Sequence, residues 1–165
     1  MSRGFVKEDD LEHAGTDVPE RPVSAYPNYV TIQGYAQLEL LATKLEKQRK
    51  LLNAKKDNTE AIAQLAIVNR DLRYVASRLI SALITKPSLL NDKVVFGAIV
   101  TVEDEDGHLS TYQIVGEDEA DIKAHKVSWT SPLANALIGQ KVGESVVWAR
   151  PAGNAVLEII NIKYQ

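Results

Sequence analysis

Cysteine is absent from the 165 residues. That excludes disulfides and cysteine-ligated metal centres and allows a reducing compartment. No apolar run approaches the roughly 20 residues needed to span a bilayer, so no membrane partner is expected. The opening MSRGFVKEDD is charged and lacks an apolar centre, so it is not expected to be a secretory signal, and the cytoplasm is the expected location. Histidine is scarce. His13, His108 and His125 fall in a tail, a hairpin turn and a polar loop, without the His-x-x-x-His spacing of a zinc site. A phosphate-cradling glycine loop is missing too, because Gly139-Gln140-Lys141-Val142-Gly143 lacks its order and length. No motif places a nucleophile beside a base. Neither autonomous catalysis nor a resident cofactor is expected.

What is present reads as one substantial domain or two small ones, with 45% hydrophobic and 25% charged residues. The net charge of −3 conceals a division. Residues 1–30 hold three basic and six acidic side chains, residues 31–86 ten and five, and residues 87–165 six and eleven. A basic middle on an acidic end suggests two surfaces meeting different partners. The plainer reading is that an exposed helix pair carries Lys and Arg for solubility.

Residues 1–30 look like an extended tail, since Pro19, Pro22 and Pro27 oppose helix and remove backbone donors. Residues 31–86 read as helix, turn, helix. Leu38, Leu41, Leu45 and Leu52, with Gln48 on the same stripe, recur at threes, fours and sevens; Ile62, Leu65, Leu72, Val75 and Leu79 continue the pattern. Such stripes on both sides of a polar break predict an antiparallel two-helix coiled coil. Asp57 or Asn58 caps the second helix, Thr31 caps the first, and Pro87 stops the second arm. Residues 87–165 turn to period two. Residues 94–102 and 110–115 flank the hairpin turn Asp104-Glu105-Asp106-Gly107. A short strand is expected at 127–129, and a short helix at 133–138, opened by Ser131-Pro132 and stopped by Gly139. Strands at 145–150 and 155–164 complete a small α+β domain around an antiparallel sheet.

Two acidic features stand out. The cluster Glu117-Asp118-Glu119-Ala120-Asp121 reads as a solvated loop. Asp57 and Glu60, three apart at the hairpin turn, can face one way on a helical turn. At the end of a helical hairpin they offer oxygen ligands for Mg²⁺ inside another protein's site. The plainer reading makes Asp57 the helix N-cap, with Glu60 at the third position.

Several segments, in order, resemble the GreA/GreB transcript-cleavage factors. They are Val95-Phe96-Gly97-Ala98, Tyr112-Gln113-Ile114-Val115-Gly116-Glu117-Asp118-Glu119-Ala120-Asp121 and Ser131-Pro132-Leu133-Ala134-Asn135-Ala136-Leu137-Ile138-Gly139, then Lys141-Val142-Gly143-Glu144 and Glu158-Ile159-Ile160-Asn161-Ile162-Lys163-Tyr164. Upstream, Asn28-Tyr29-Val30-Thr31-Ile32-Gln33-Gly34-Tyr35 and Arg70-Asp71-Leu72-Arg73-Tyr74-Val75 are similar to the entry of the family's first helix and to its second arm. The resemblance implies a C-terminal domain of FKBP-like fold without isomerase activity, docked at the mouth of the secondary channel of bacterial RNA polymerase. The loop Thr130-Ser131-Pro132 would lie at that docking surface, and the coiled coil would enter the channel. The family's tip motif, of Gly-Asp-x-x-Glu-Asn-Ala-Glu-Tyr type, lends Asp and Glu to a second Mg²⁺ that activates water for cutting backtracked RNA. By this likeness Asp57 and Glu60 would hold Mg²⁺ only in the polymerase complex, and the polymerase would perform the cleavage. Lys44, Lys47, Arg49 and Lys50 would face nascent RNA or the channel wall; their plainer reading is solvent charge. A monomer is expected.

This chain departs from the pattern at the tip. Lys56-Asp57-Asn58-Thr59-Glu60-Ala61-Ile62 keeps Asp-x-x-Glu but loses the flanking Gly, the Asn-Ala and the Tyr. Each arm is also about a heptad shorter than in cleavage-active members, roughly 10 Å of reach at 1.5 Å per residue. A carboxylate ligates Mg²⁺ directly only at about 2.1 Å. The alternative reading is therefore a polymerase-binding regulator that occupies the channel without aiding cleavage. Thr130 stands where the family's docking loop often carries an acidic residue.

Overall fold

The computed structural model describes residues 18–55 and 57–165. The expectations for residues 1–17, His13 among them, and for Lys56 lie outside the described residues. The chain divides into two compact units, one holding Gln37–Ser81 with the described part of Met1–Tyr26, the other Pro27–Ala36 with Ala82–Gln165.

The first unit is a helical hairpin. Helix α1 spans Ile32–Asn53, its first turn belonging to the second unit, and α2 spans Thr59–Ser81. At 1.5 Å per residue each is about 33–35 Å long. Their seam is apolar: Leu38, Leu45, Val68 and Val75 are buried, with Ala42, Leu52, Leu72 and Leu79 packed against them. On α1 the seam positions are 38, 42, 45 and 52, and on α2 they are 68, 72, 75 and 79, the alternating four-three spacing of a coiled coil. Leu41 and Ile62, expected inside, are exposed, and so is Gln48. Arg49 occupies the missing seam position between Leu45 and Leu52, where its guanidinium pairs with Glu46 at 2.6 Å.

The second arm stops at Ser81, short of Pro87. Leu83–Ile84 then forms a strand, β2, paired in parallel with β1 at Tyr29–Val30, so the chain just before α1 is ordered backbone. Residues 18–26 carry no helix or strand but lie against α2. Glu20 takes both Nε and Nη2 of Arg73, at 2.5–3.2 Å. Arg21 reaches Asp71 at 3.5 Å and stacks over the Tyr74 ring at 3.8 Å. Asp71 also receives Arg70, at 3.0 and 3.1 Å.

The second unit is built on a five-stranded sheet of order β5-β4-β3-β7-β6. Its strands are β3 (Ile99–Glu103), β4 (Leu109–Val115), β5 (Lys126–Ser128), β6 (Ser145–Trp148) and β7 (Ala155–Lys163). All neighbours are antiparallel except β4 and β5, so the sheet is mixed where a purely antiparallel one was expected. The physical reason is the connection. The chain after β4 passes through two short 3₁₀ turns, Glu117–Glu119 and Ile122–Ala124, and re-enters the sheet in the same direction. The expected strand at 94–102 starts only at Ile99, because Gly97 adopts a φ of 86° and its N–H turns to the Ile114 carbonyl. Opposite Thr101 and Val102, β7 carries one extra residue, Ile160, which is a β-bulge. Helix α3 (Pro132–Leu137) covers one face, and Leu133, Ala134 and Leu137 join Val100, Ile114 and Ile159 in the core. Each fully buried aliphatic side chain there contributes about 1.5–3 kcal/mol of transfer free energy.

Candidate functional site

Asp57 and Glu60 both lie exposed at the hairpin turn. Asn58, not Asp57, caps α2: its Oδ1 accepts the N–H groups of Glu60 at 2.9 Å and Ala61 at 3.3 Å. This corrects the reading of Asp57 as the N-cap. Glu60 is then the second helical residue, and among the described residues its carboxylate takes one long hydrogen bond, from Gln64 at 3.4 Å. Negative charge in the first turn also complements the N-terminal end of the α2 dipole. The donor set, two carboxylates without a strong partner among the described residues, is hard oxygen of the kind Mg²⁺ accepts.

Of the basic residues on α1, Lys44, Lys47 and Lys50 are exposed and make no ion pair among the described residues. Arg49 is set apart by its seam position and its bond to Glu46.

The loop Thr130-Ser131-Pro132 is fixed by its own hydrogen bonds. Ser131 Oγ accepts the Ala134 N–H at 3.2 Å as the N-cap of α3, and Pro132 fills the first helical position. The Thr130 hydroxyl lies 2.7 Å from that of Ser128, whose Oγ also accepts the Thr130 N–H at 3.2 Å. The loop presents Pro132 exposed and Ser131 half-buried on a rigid base.

The acidic cluster is not simply a solvated loop. Glu119 is buried, with 7% of its surface exposed. Its carboxylate accepts the Thr31 N–H at 3.0 Å, the Thr31 hydroxyl, and the Gly116 N–H at 3.2 Å. The Thr31 hydroxyl in turn accepts the Gly34 N–H at 3.0 Å, which makes Thr31 the cap of α1 as the sequence predicts. In a capping box the third helical residue is Glu or Gln and binds the N-cap N–H. Here that position is Gly34, and Glu119, 88 residues downstream of Thr31, supplies the carboxylate. A Cβ on Gly34 would lie 2.0 Å from Glu119 Cδ, and one on Gly116 would lie 2.3 Å from the Tyr29 carbonyl oxygen. Tyr29 is held edge-on against Trp129, ring centroids 5.0 Å apart. The start of α1 is thereby bolted to the β-domain chain that leads to the Thr130-Ser131-Pro132 loop. Sequence reasoning missed this bolt. Its one available signal was a capping threonine followed by Gly, not Glu, at the third helical position.

A cavity of about 280 Å³ opens near the β3–β4 turn, with Tyr112, Trp148, Arg150, Asp104 and His108 among its walls. Asp104, Asp106 and His108 bring ligand atoms within 4.8 Å of one another. Asp104 is committed to the turn: its Oδ1 accepts the N–H groups of Asp106 and His108, both at 2.9 Å. The His108 backbone bond leads the contributions that hold the Asp104 carboxyl below its usual range.

The family described as "Transcription elongation factor, GreA/GreB, C-term" matches residues 89–164. Transcription elongation factor GreA of Halorhodospira halophila is 40% identical over 116 residues, 67% of this chain and 73% of that protein. GreA of Trichlorobacter lovleyi is 57% identical over 75 residues, 45% and 48% of the two chains. Among solved structures, the GreA factor homolog 1 (Gfh1) of Thermus thermophilus aligns at a TM-score of 0.41 and 23% identity, over 84% of this chain and 99% of that one. The GreA/GreB factor of Nitrosomonas europaea aligns at a TM-score of 0.41 and 21% identity, over 83% and 99%.

Proposed function

Because the chain belongs to the GreA/GreB family of transcription elongation factors, we propose that it binds bacterial RNA polymerase at the secondary channel and presents Asp57 and Glu60 to the active centre at the turn of its helical hairpin. The single observation that carries this reading is the division of labour at that turn. Asn58 takes the capping role, and Asp57, exposed and without a hydrogen bond or ion pair among the described residues, lies three positions before Glu60, which sits on the first turn of α2. A carboxylate pair at a hairpin turn is the arrangement needed to share a divalent cation with another protein's site. Asp57 and Glu60 would hold the Mg²⁺ in the complex, and the ion would there activate a water for RNA cleavage. The chain's own residues position oxygen ligands, and the polymerase performs the chemistry. Thr130, Ser131 and Pro132 form the docking loop in this reading, with Lys44, Lys47 and Lys50 toward nascent RNA or the channel wall.

A second reading, occupation of the channel without aid to cleavage, is favoured by the tip sequence, which keeps Asp-x-x-Glu and loses its flanks. The deciding experiment measures cleavage of backtracked RNA by polymerase with the wild-type chain and with the double variant Asp57→Asn, Glu60→Gln. Loss of stimulation in the variant, with polymerase still bound, is the result expected. Binding without stimulation by the wild type selects the second reading. If the chain retains no polymerase at all in a pull-down, both readings fall.

A further inference from the structure

We propose that α2 carries a peptide-binding face, centred on Arg73, Asp71 and Tyr74, and that residues 18–26 fill it in cis as a displaceable electrostatic latch.

The contacts are crossed in sign. Two adjacent residues of the segment, one acid and one base, meet a base and an acid on α2: Glu20 takes the fork of Arg73, while Arg21 takes Asp71 and the face of Tyr74. A shift of one residue along the segment would set like charges together, so the pattern fixes register as well as attraction. Arg presents a planar fork that matches a carboxylate at two points, and it stacks on aromatic rings. Both uses occur here, within a single turn of α2. Pro19 and Pro22 flank the pair and hold the segment extended, which lowers the entropy lost on docking.

The same contacts are weak enough to open. Glu20 and Arg73 keep 63% and 56% of their side-chain surface exposed, and Arg21 keeps 40%. Ion pairs of this kind are screened by salt and contribute little individually. A latch so held closes at low ionic strength, and while closed it engages the Arg73 guanidinium and one face of the Tyr74 ring. Under the proposed function the consequence is regulatory, since a polymerase surface that uses this face of α2 must first displace the segment. That consequence rests on the polymerase reading; the latch itself does not.

Two measurements on the full chain keep these apart. First, a glutamate-specific protease cuts the Glu20–Arg21 bond only when the segment lifts. Arg73→Glu should speed that cut about two- to fivefold at low salt, the range corresponding to loss of an exposed ion pair. The wild-type rate should rise towards the variant's as salt is added. The charge-matched control Arg150→Glu, in the other unit, should leave the cut unchanged. Equal rates in wild type and Arg73→Glu would overturn the latch. Second, polymerase affinity is compared for Glu20→Arg, Arg73→Glu and the pair combined. Glu20→Arg opens the latch and should bind polymerase more tightly at low salt. The combined variant, with its charges exchanged, should re-close the latch and slow tryptic cutting of the bond after position 20 relative to Glu20→Arg alone. Unchanged affinity in Glu20→Arg, beside tryptic cutting after position 20 faster than in the combined variant, would overturn the masking role.

Discussion

The carboxylate of Glu119 accepts the backbone N–H of Thr31 across 88 residues of sequence, at 3.0 Å, and also receives the Thr31 hydroxyl. A helix start is usually finished by its own first turn; here the finishing group comes from the loop after β4. One carboxylate thus caps α1 and fixes its first turn to the chain after β4.

Removing that carboxylate leaves buried donors on Thr31 and Gly116 without an acceptor. An unpaired buried donor costs about 1–3 kcal/mol, more where the lost partner was charged. Glu119→Ala is therefore expected to destabilise the protein by about 2–4 kcal/mol in urea denaturation. Glu119→Gln keeps an acceptor oxygen and should lose about half as much. A cost below about 0.5 kcal/mol for Glu119→Ala would show that water replaces the carboxylate at no penalty.

Gly34 tests the same junction from the other side. A methyl at this position falls 2.0 Å from Glu119 Cδ, so Gly34→Ala must push the carboxylate off its donors or shift the first turn of α1. Alone, the substitution should destabilise. With Glu119→Ala already in place the obstruction is gone, and Ala is favoured over Gly within a helix by about 0.5–1 kcal/mol. The sign of the Gly34→Ala effect should therefore reverse between the two backgrounds, a coupling that a double-mutant cycle reads directly. Additive effects would contradict the contact.

The Glu20 latch has a pH signature. The hydrogen bond from Arg73, assisted by the charges of Arg73 and Arg70, holds the Glu20 carboxyl below its ordinary value of 4.5, and Glu20 holds Arg73 further above its own range. Asp71 and Arg21 flank the pair with opposite charges. A lowered acid stabilises the closed form wherever it is ionised. The contribution is fully present above about pH 4.5 and is lost as pH falls through the depressed value. A carboxyl-carbon NMR titration should place the Glu20 midpoint below 4.5 in the wild type and return it upward in Arg73→Gln. An unchanged midpoint would mean that the pair does not persist in solution.

Much of this was legible in the sequence, because turn chemistry and periodicity are local. The Asp104-Gly107 hairpin, the Ser131 cap with Pro132 behind it, and two long helices around a polar break all follow from neighbouring residues. The helical seam was read less well. Leu41 suited a three-four stripe, yet the true register runs 38, 42, 45, 49, 52, with Ala42 and Arg49 in positions where a search for leucine finds nothing. Alanine lets the helices approach, and the Arg49 stem can lie along an apolar seam while its head reaches Glu46. Glu119 was hidden for a different reason. A run of four acids in five residues reads as solvent-facing, and only a partner 88 positions away reveals that one of them is a cap. The parallel β4–β5 pair was likewise invisible, since strand direction after two 3₁₀ turns is decided by tertiary packing.

The neighbours Asp57 and Asn58 decide how the cleavage experiment must be read. Asn58 Oδ1 accepts two N–H groups at the start of α2, whereas Asp57 is exposed and caps no N–H among the described residues. Replacing an Asn cap by Ala costs about 0.5–2 kcal/mol. A surface residue without such a task changes stability by about 0.5 kcal/mol or less. Thermal or urea unfolding should therefore separate them, with Asn58→Ala clearly weaker and Asp57→Ala close to wild type. If the order is inverted, Asp57 is the structural residue, and any loss of activity on replacing it reflects a frayed α2. If it holds, Asp57→Asn removes a charge and leaves the hairpin intact, so a change in RNA cleavage reports on the carboxylate itself.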